Sequence, residues 1–146
     1  MPSERNIDPF AALILVLSII GIILIAAFSF AGFYWPGPYA GNRYSCLSCE
    51  YWTSGDLAAQ VLMLILLIVQ IVIAINDLIP KRFVERDLSI YGMGLAVLTI
   101  LMAIIGIASF GVAYDAFNWW PETGFYGGII AGILNTILFF LKFRNK

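Results

Sequence analysis

Four long apolar runs dominate this chain, at 10–33, 57–79, 90–113 and 125–141. A hydrocarbon core of about 30 Å is crossed by roughly 20 apolar helical residues. Inside it every backbone N–H and C=O must be paired within the protein, which leaves helices or closed barrels. Runs this long and unbroken read as helices. The chain is 62% apolar, and its 146 residues suffice for one domain. The expected fold is an all-α membrane protein: one antiparallel four-helix transmembrane bundle with a short aromatic, cysteine-containing extracellular loop region. Helices are expected at about 10–33, 57–79, 90–113 and 122–142, with outer loops at 34–56 and 114–124. The fourth run is only 17 residues long. It therefore extends back into the 119–124 segment or sits in a locally thinned bilayer. The first run, at 24 residues, is too long for a signal-peptide core and lacks an A-x-A cleavage site, so a retained helix is expected.

Charge and aromatics separate the two faces. Arg5, Lys81, Arg82, Arg86, Lys142, Arg144 and Lys146 fall on the side of the termini. Arg43 alone falls on the other, with Glu50, Asp56, Asp115 and Glu122. By the positive-inside rule both termini are cytoplasmic, and the expected location is the plasma or cell membrane. The mildly acidic outer loops argue against nucleic acid as a partner. Trp35, Trp52, Trp119 and Trp120, Cys46 and Cys49, and six of the seven tyrosines belong to the outer side. Aromatic belts normally mark both interfaces, so this one-sided set reads either as an outer-leaflet anchor or as a recognition surface. Trp and Tyr are favoured at interface hot spots. The patch Phe117-Asn118-Trp119-Trp120-Pro121, with Trp35 and Trp52, is the candidate partner contact.

Punctuation places the connections. Trp35-Pro36-Gly37-Pro38 is expected to stop helix 1, with a hairpin or irregular loop over 42–52. Ser54-Gly55-Asp56 reads as the cap of helix 2, Pro80 as its end, and Asp87 or Ser89 as the cap of helix 3. Small residues recur along helix 3 (Gly92, Ala96, Thr99, Ala103, Gly106), and helix 4 carries Gly124, Gly128 and Gly132 with Asn135 one turn on. In lipid such stripes let backbones approach. They serve bundle packing or, through the helix 4 GxxxGxxxG, homodimerisation. Gln60, Gln70 and Asn135 read as interhelical hydrogen-bond glue, worth about 0.5–1 kcal/mol each.

Chemistry is sparse. The chain has no histidine, which excludes His-ligated metal or haem and His general bases within it. No cofactor and no metal are expected. Asn76 and Asp77 near the end of helix 2 suggest a proton or ion path, or an Asp77 that snorkels or pairs with Lys81 four residues on. Cys46-Leu47-Ser48-Cys49 is the one reactive-looking motif. It reads as a structural disulfide, or as a thiol-exchange centre resembling the bacterial quinone-coupled disulfide-generating membrane oxidoreductases. That second family has another cysteine pair in its other outer loop and an arginine after the first pair. Here 114–124 has no cysteine, and Glu50-Tyr51-Trp52 follows Cys49.

The whole chain resembles the claudin and peripheral myelin protein superfamily. Asp56-Leu57-Ala58-Ala59-Gln60-Val61-Leu62-Met63 is similar to that family's L-x-A-A-R-A-L-M opening of helix 2, with Gln60 in the arginine position. Pro121, Glu122, Gly124, Tyr126 and Gly128 resemble its entry to helix 4. The first loop departs: Trp35 is present, but no G-L-W precedes Cys46, the cysteines are three apart, and the loop is about half the family's length. The resemblance implies four helices with cytoplasmic termini, a truncated extracellular sheet, and a non-catalytic protein of lateral or cell–cell association, a cell-adhesion role in which oligomers form. Its partners are then the lipid bilayer and other membrane proteins or copies of itself. Two alternatives stand beside it: an accessory subunit of a larger membrane complex, and a membrane thiol–disulfide oxidoreductase using Cys46 and Cys49.

Overall fold

The computed structural model describes residues 6–49 and 54–145. Four helices are each long and apolar enough to cross a membrane: α1 Pro9–Ala27, α2 Ser54–Leu78, α3 Ser89–Ala113 and α4 Thr123–Arg144. They form a four-membered ring in which α1 packs on α2, α2 on α3, α3 on α4 and α4 on α1. Three short strands, β1 Ala31–Trp35, β2 Gly41–Ser45 and β3 Trp119–Pro121, make an antiparallel sheet in the order β2-β1-β3. The sheet closes one end of the bundle, here called the sheet end. The start of α1, the α2–α3 connection and the end of α4 meet at the other, the tail end.

The first helix is shorter than the sequence suggests. Its apolar run continues to Phe33, but α1 ends at Ala27 with extended backbone at Phe28, and 31–35 is the central strand. An unbroken apolar run does not distinguish a buried strand from a buried helix by periodicity. Ala31, Gly32 and Phe33 are buried, and their backbone groups pair on both sides, with Ser45, Tyr44 and Arg43 of β2 and with Pro121, Trp120 and Trp119 of β3. The helix is thus ended by pairing partners, not by the Pro36–Pro38 turn. The same geometry makes 31–45 the hairpin and puts a strand in the second connection.

At the other end Asp8 caps α1. Its carboxylate accepts from the N–H of Phe10 (2.9 Å) and Ala11 (3.4 Å), and Pro9 fills the first turn, where its missing N–H costs nothing. The cap of α3 is Leu88, which offers no side-chain bond; Asp87 accepts instead from the N–H of Ser89 at 2.9 Å. Asp56 lies inside the first turn of α2 rather than ahead of it, and its side chain turns inward.

The small-residue stripes are spent inside the molecule. A Cβ at Gly106 would stand 2.6 Å from the Ala59 Cβ, so α2 and α3 meet there closely enough that only glycine fits. On α4, Gly124 faces the Ser29 and Phe30 backbone, Gly128 the Met63 sulfur, and Gly132 Ile100 and Ala96. Three different neighbours therefore occupy the GxxxGxxxG face, which leaves no part of it for a second copy. Gly92 accommodates the Phe139 ring, and Ala96 and Ala103 are fully buried.

The core has two apolar clusters. One, toward the sheet, contains Ile25, Phe30, Phe33, Met63, Leu67, Ala103, Phe110 and Ala131. The other, toward the tails, contains Ile14, Ile73, Ala74, Ala96 and Phe139.

Candidate functional site

The sheet end gathers the aromatics that the sequence scatters over two connections. Phe33, on the inner side of β1, stacks on Tyr114 at 4.2 Å and 15° and meets Phe110 and Phe117 at 6.2 and 5.5 Å. Aromatic pairs in such offset and tilted arrangements add about 0.5–1.5 kcal/mol each beyond the area they bury. Trp119 reaches inward to Phe110 and covers Gly111, where a Cβ would stand 2.5 Å from its ring. On the opposite face of the sheet, Gly32 lies between Tyr44 and Trp120, which cross edge-on at 6.4 Å. The Trp120 Nε1–H donates to Glu122 at 2.6 Å. Trp35 lies on Phe117 at 5.4 Å and keeps 40% of its surface exposed. Trp119 keeps 39%, Tyr34 42% and Tyr39 83%.

Of the expected contact residues, Trp35, Phe117, Trp119 and Trp120 therefore share one end of the molecule, and Trp52 lies outside the described residues. Their roles differ. Trp119 and Phe117 serve the packing beneath the sheet as well as its surface, Trp35 packs on Phe117, and Tyr39 presents mainly surface. Burial pushes the Tyr114 phenol above its usual value of 10.0, and the nearby Asp56 carboxylate adds to the shift.

Cys46 and Cys49 are bridged. The bond closes a turn in which the Cys49 N–H donates to the Cys46 carbonyl at 3.2 Å. It follows Ser45, which ties the sheet to the bundle: the Ser45 hydroxyl donates to the fully buried Asp56 carboxylate, and Gln60 Nε2 donates to the Ser45 hydroxyl (3.3 Å) and the Asp56 carbonyl (3.2 Å). An unpaired carboxylate here would cost several kcal/mol. Ser45 carries no motif, and only its β2 register reveals that it points inward, opposite Ala31.

Two further polar layers lie below. Near the middle, one side chain from each helix converges: Ser18, Gln70, Thr99 and Asn135, all fully buried. Asn135 Nδ2 donates to the Ser18 hydroxyl and to Gln70 Oε1, both at 2.8 Å, and Gln70 Nε2 donates to the Thr99 hydroxyl at 3.0 Å. Gln70 and Asn135 thus bond between helices, whereas Gln60 bonds to β2 and to its own helix. Ser18 was missed; its only signal is a hydroxyl near the middle of α1, whose other residues are all apolar or glycine or proline. The layer falls between the two apolar clusters.

At the tail end, Lys142 is 4% exposed and lies 2.5 Å from Asp77 and 2.9 Å from Asp8. Arg82 approaches the other Asp77 oxygen at 3.8 Å. The expected Asp77–Lys81 pair does not form. Helix α2 stops at Leu78, so the four-residue spacing no longer brings the two side chains together, and Lys81 is exposed. Lys142 belongs by sequence to the basic tail. By position it continues the inward face of α4, seven residues beyond Asn135 and three beyond Phe139. Burial opposes ionisation of Asp8, but the hydrogen bond and charge of Lys142 outweigh it and hold its carboxyl below 3.8. Asn76 does not line a path. Its amide donates to the Val84 carbonyl (3.0 Å) and accepts from the Val84 N–H (2.9 Å), pinning the α2–α3 connection.

Between Gln60 and Gln70 the inward positions of α2 are Met63 and Leu67, both fully buried, a dry stretch of about 15 Å along the helix. The three polar layers are therefore separate ties and not a continuous channel. No group of three or more His, Cys, Asp or Glu side chains that could hold a metal occurs among the described residues. No protein-family model, curated protein or solved structure matches the chain.

Proposed function

We propose that this chain is a non-catalytic integral membrane protein that associates with other membrane proteins, or with copies of itself, through its aromatic sheet. The tails lie in the cytoplasm and the sheet faces outward at the cell surface, as the basic residues of the tail end favour. The observation that carries the reading is the placement of Trp35, Tyr34, Tyr39 and Trp119 at one end, exposed, on a sheet braced from below by stacked rings. Rigid aromatics offer large contact area at low entropic cost, and that is how interface hot spots are built. The likeness to claudin-type tetraspans rests on the helix 2 opening and the helix 4 entry, and a sheet drawn from both connections suits it. Cys46 and Cys49 serve as scaffold in this reading; as the only cysteines of the chain they leave no second internal pair for thiol relay.

The test is cross-linking in native membranes followed by mass spectrometry on the full chain. Trp35→Ala combined with Tyr39→Ala should weaken assembly about tenfold while leaving the bundle folded. Unchanged assembly in that variant overturns the reading. Recovery of one larger partner in fixed ratio, in place of self-association or varied neighbours, would assign the same surface to an accessory subunit.

A further inference from the structure

We propose that the groove between α3 and α4 at the tail end is a binding site for one anionic membrane lipid, its headgroup at Arg86 and a chain along Tyr91, Gly94 and Leu98. The inference rests on the membrane-spanning part of the preceding reading and is independent of what the sheet contacts.

The groove measures about 800 Å³. Ile90, Tyr91, Gly94, Val97 and Leu98 line it from one face of α3, and Thr136 from α4. Gly94 creates the depression: no atom lies within 4 Å of where its Cβ would stand, unlike the glycines of the packing stripes, each of which is met by a neighbouring segment of the bundle. Of the two polar side chains in the lining, Tyr91 and Thr136, the Thr136 hydroxyl is already spent on the Gly132 carbonyl at 2.7 Å. From Ile90 to Leu98 the groove runs about 12 Å along the helix, close to the roughly 15 Å depth of one leaflet. It thus begins at a charged mouth and ends near mid-bilayer, as a lipid chain does.

The mouth sets the class of lipid. The Arg86 guanidinium lies 5.5 Å over the Tyr91 ring, which holds the charge at the end of the groove. The connection also carries Lys81 and Arg82 against Glu85 and Asp87. Arg82 faces Asp77, and Asp87 is engaged with the Ser89 N–H. With exposed Arg144, which ends α4 on the same side, Lys81 and Arg86 outnumber Glu85 and Asp87 by one charge. Phe83, 78% exposed beside the pinned Val84, is presented as an apolar foot at interface depth. A headgroup of net negative charge complements this mouth, and a zwitterionic one, whose phosphate is offset by its own ammonium, complements it less well.

The experiment is native mass spectrometry of the full protein released from nanodiscs of equal phosphatidylglycerol and phosphatidylcholine. The wild type should retain one phosphatidylglycerol. Arg86→Ala should lower that preference about fivefold, Arg86→Lys should largely keep it, and Gly94→Phe should abolish retention by filling the groove. Gly94 faces outward, so the last variant keeps the bundle's packing. Equal retention of the two lipids by the wild type, meaning an ordinary lipid shell only, overturns the proposal. So does a preference that survives both Arg86→Ala and Gly94→Phe. Neither outcome bears on assembly through the sheet.

Discussion

The two ends of the bundle are closed by opposite chemistry. At the sheet end a carboxylate, Asp56, is buried with a hydroxyl and an amide, under a lid of stacked rings and a disulfide-closed turn. At the tail end Asp77 is buried with an ammonium, and Asp8 and Arg82 complete a four-charge cluster that draws on α1, α2, α4 and the α2–α3 connection. The Asp56 carboxylate is held by hydrogen bonds, and stranding it would cost several kcal/mol. A buried ion pair returns a great deal only while both partners remain. The tail end is therefore brittle toward loss of either charge, whereas the sheet end is brittle only where its buried Asp56 carboxylate would lose its donors.

The largest break should come from Lys142→Met. It strands Asp77, 2% exposed, without its closest cation, and should cost about 3–5 kcal/mol of unfolding free energy in detergent. Pairing it with Asp77→Leu should restore most of that loss, because well-packed apolar replacements remove the buried charge altogether. If the double variant is no better than the single, the cluster does not act as a balanced pair. Replacing both Cys46 and Cys49 by serine should cost about 2 kcal/mol or less, since the closed loop is only a few residues long. Far-ultraviolet dichroism should show the four helices intact. Asn135→Leu removes two hydrogen bonds and should cost about 1–2 kcal/mol in the same unfolding assay.

The smallest effect is acid sensitivity at the tail end. The folded Asp8 carboxyl titrates below 3.8, so its contribution is complete above that value and is lost as pH falls below it. The difference in thermal midpoint between wild type and Asp8→Asn should be constant from pH 7 to about 5 and should shrink toward pH 3. A difference that grows on acidification contradicts the assigned sign.

Much of this architecture was legible before any coordinates. Length and unbroken apolarity announce four membrane-length helices, and a C-x-x-C in a chain without other cysteines suggests its own bridge. The end of α1 was not legible, because residues 31–33 are as apolar as the helix before them and only their pairing with residues 43–45 and 119–121 makes them a strand. Lys142 was hidden by its company. Charge counting assigns it to the tail, while the helical spacing from Asn135 through Phe139 assigns it to the core, and the core prevails because Asp77 and Asp8 await it there. The GxxxGxxxG of α4 was ambiguous for a related reason: spacing gives a face, but not which helix covers it.

The mid-bundle layer of Ser18, Gln70, Thr99 and Asn135 has a mechanical consequence. Apolar helices in lipid slide past one another at little cost, since one leucine contact replaces another. A slide of one turn, about 5.4 Å, would part Asn135 from both Ser18 and Gln70. The layer therefore acts as a detent against sliding and as a fulcrum for tilting. A helix that rocks while keeping these bonds swings its sheet end one way and its tail end the other, so a push on the aromatic lid is felt, reversed in direction, at the charged end.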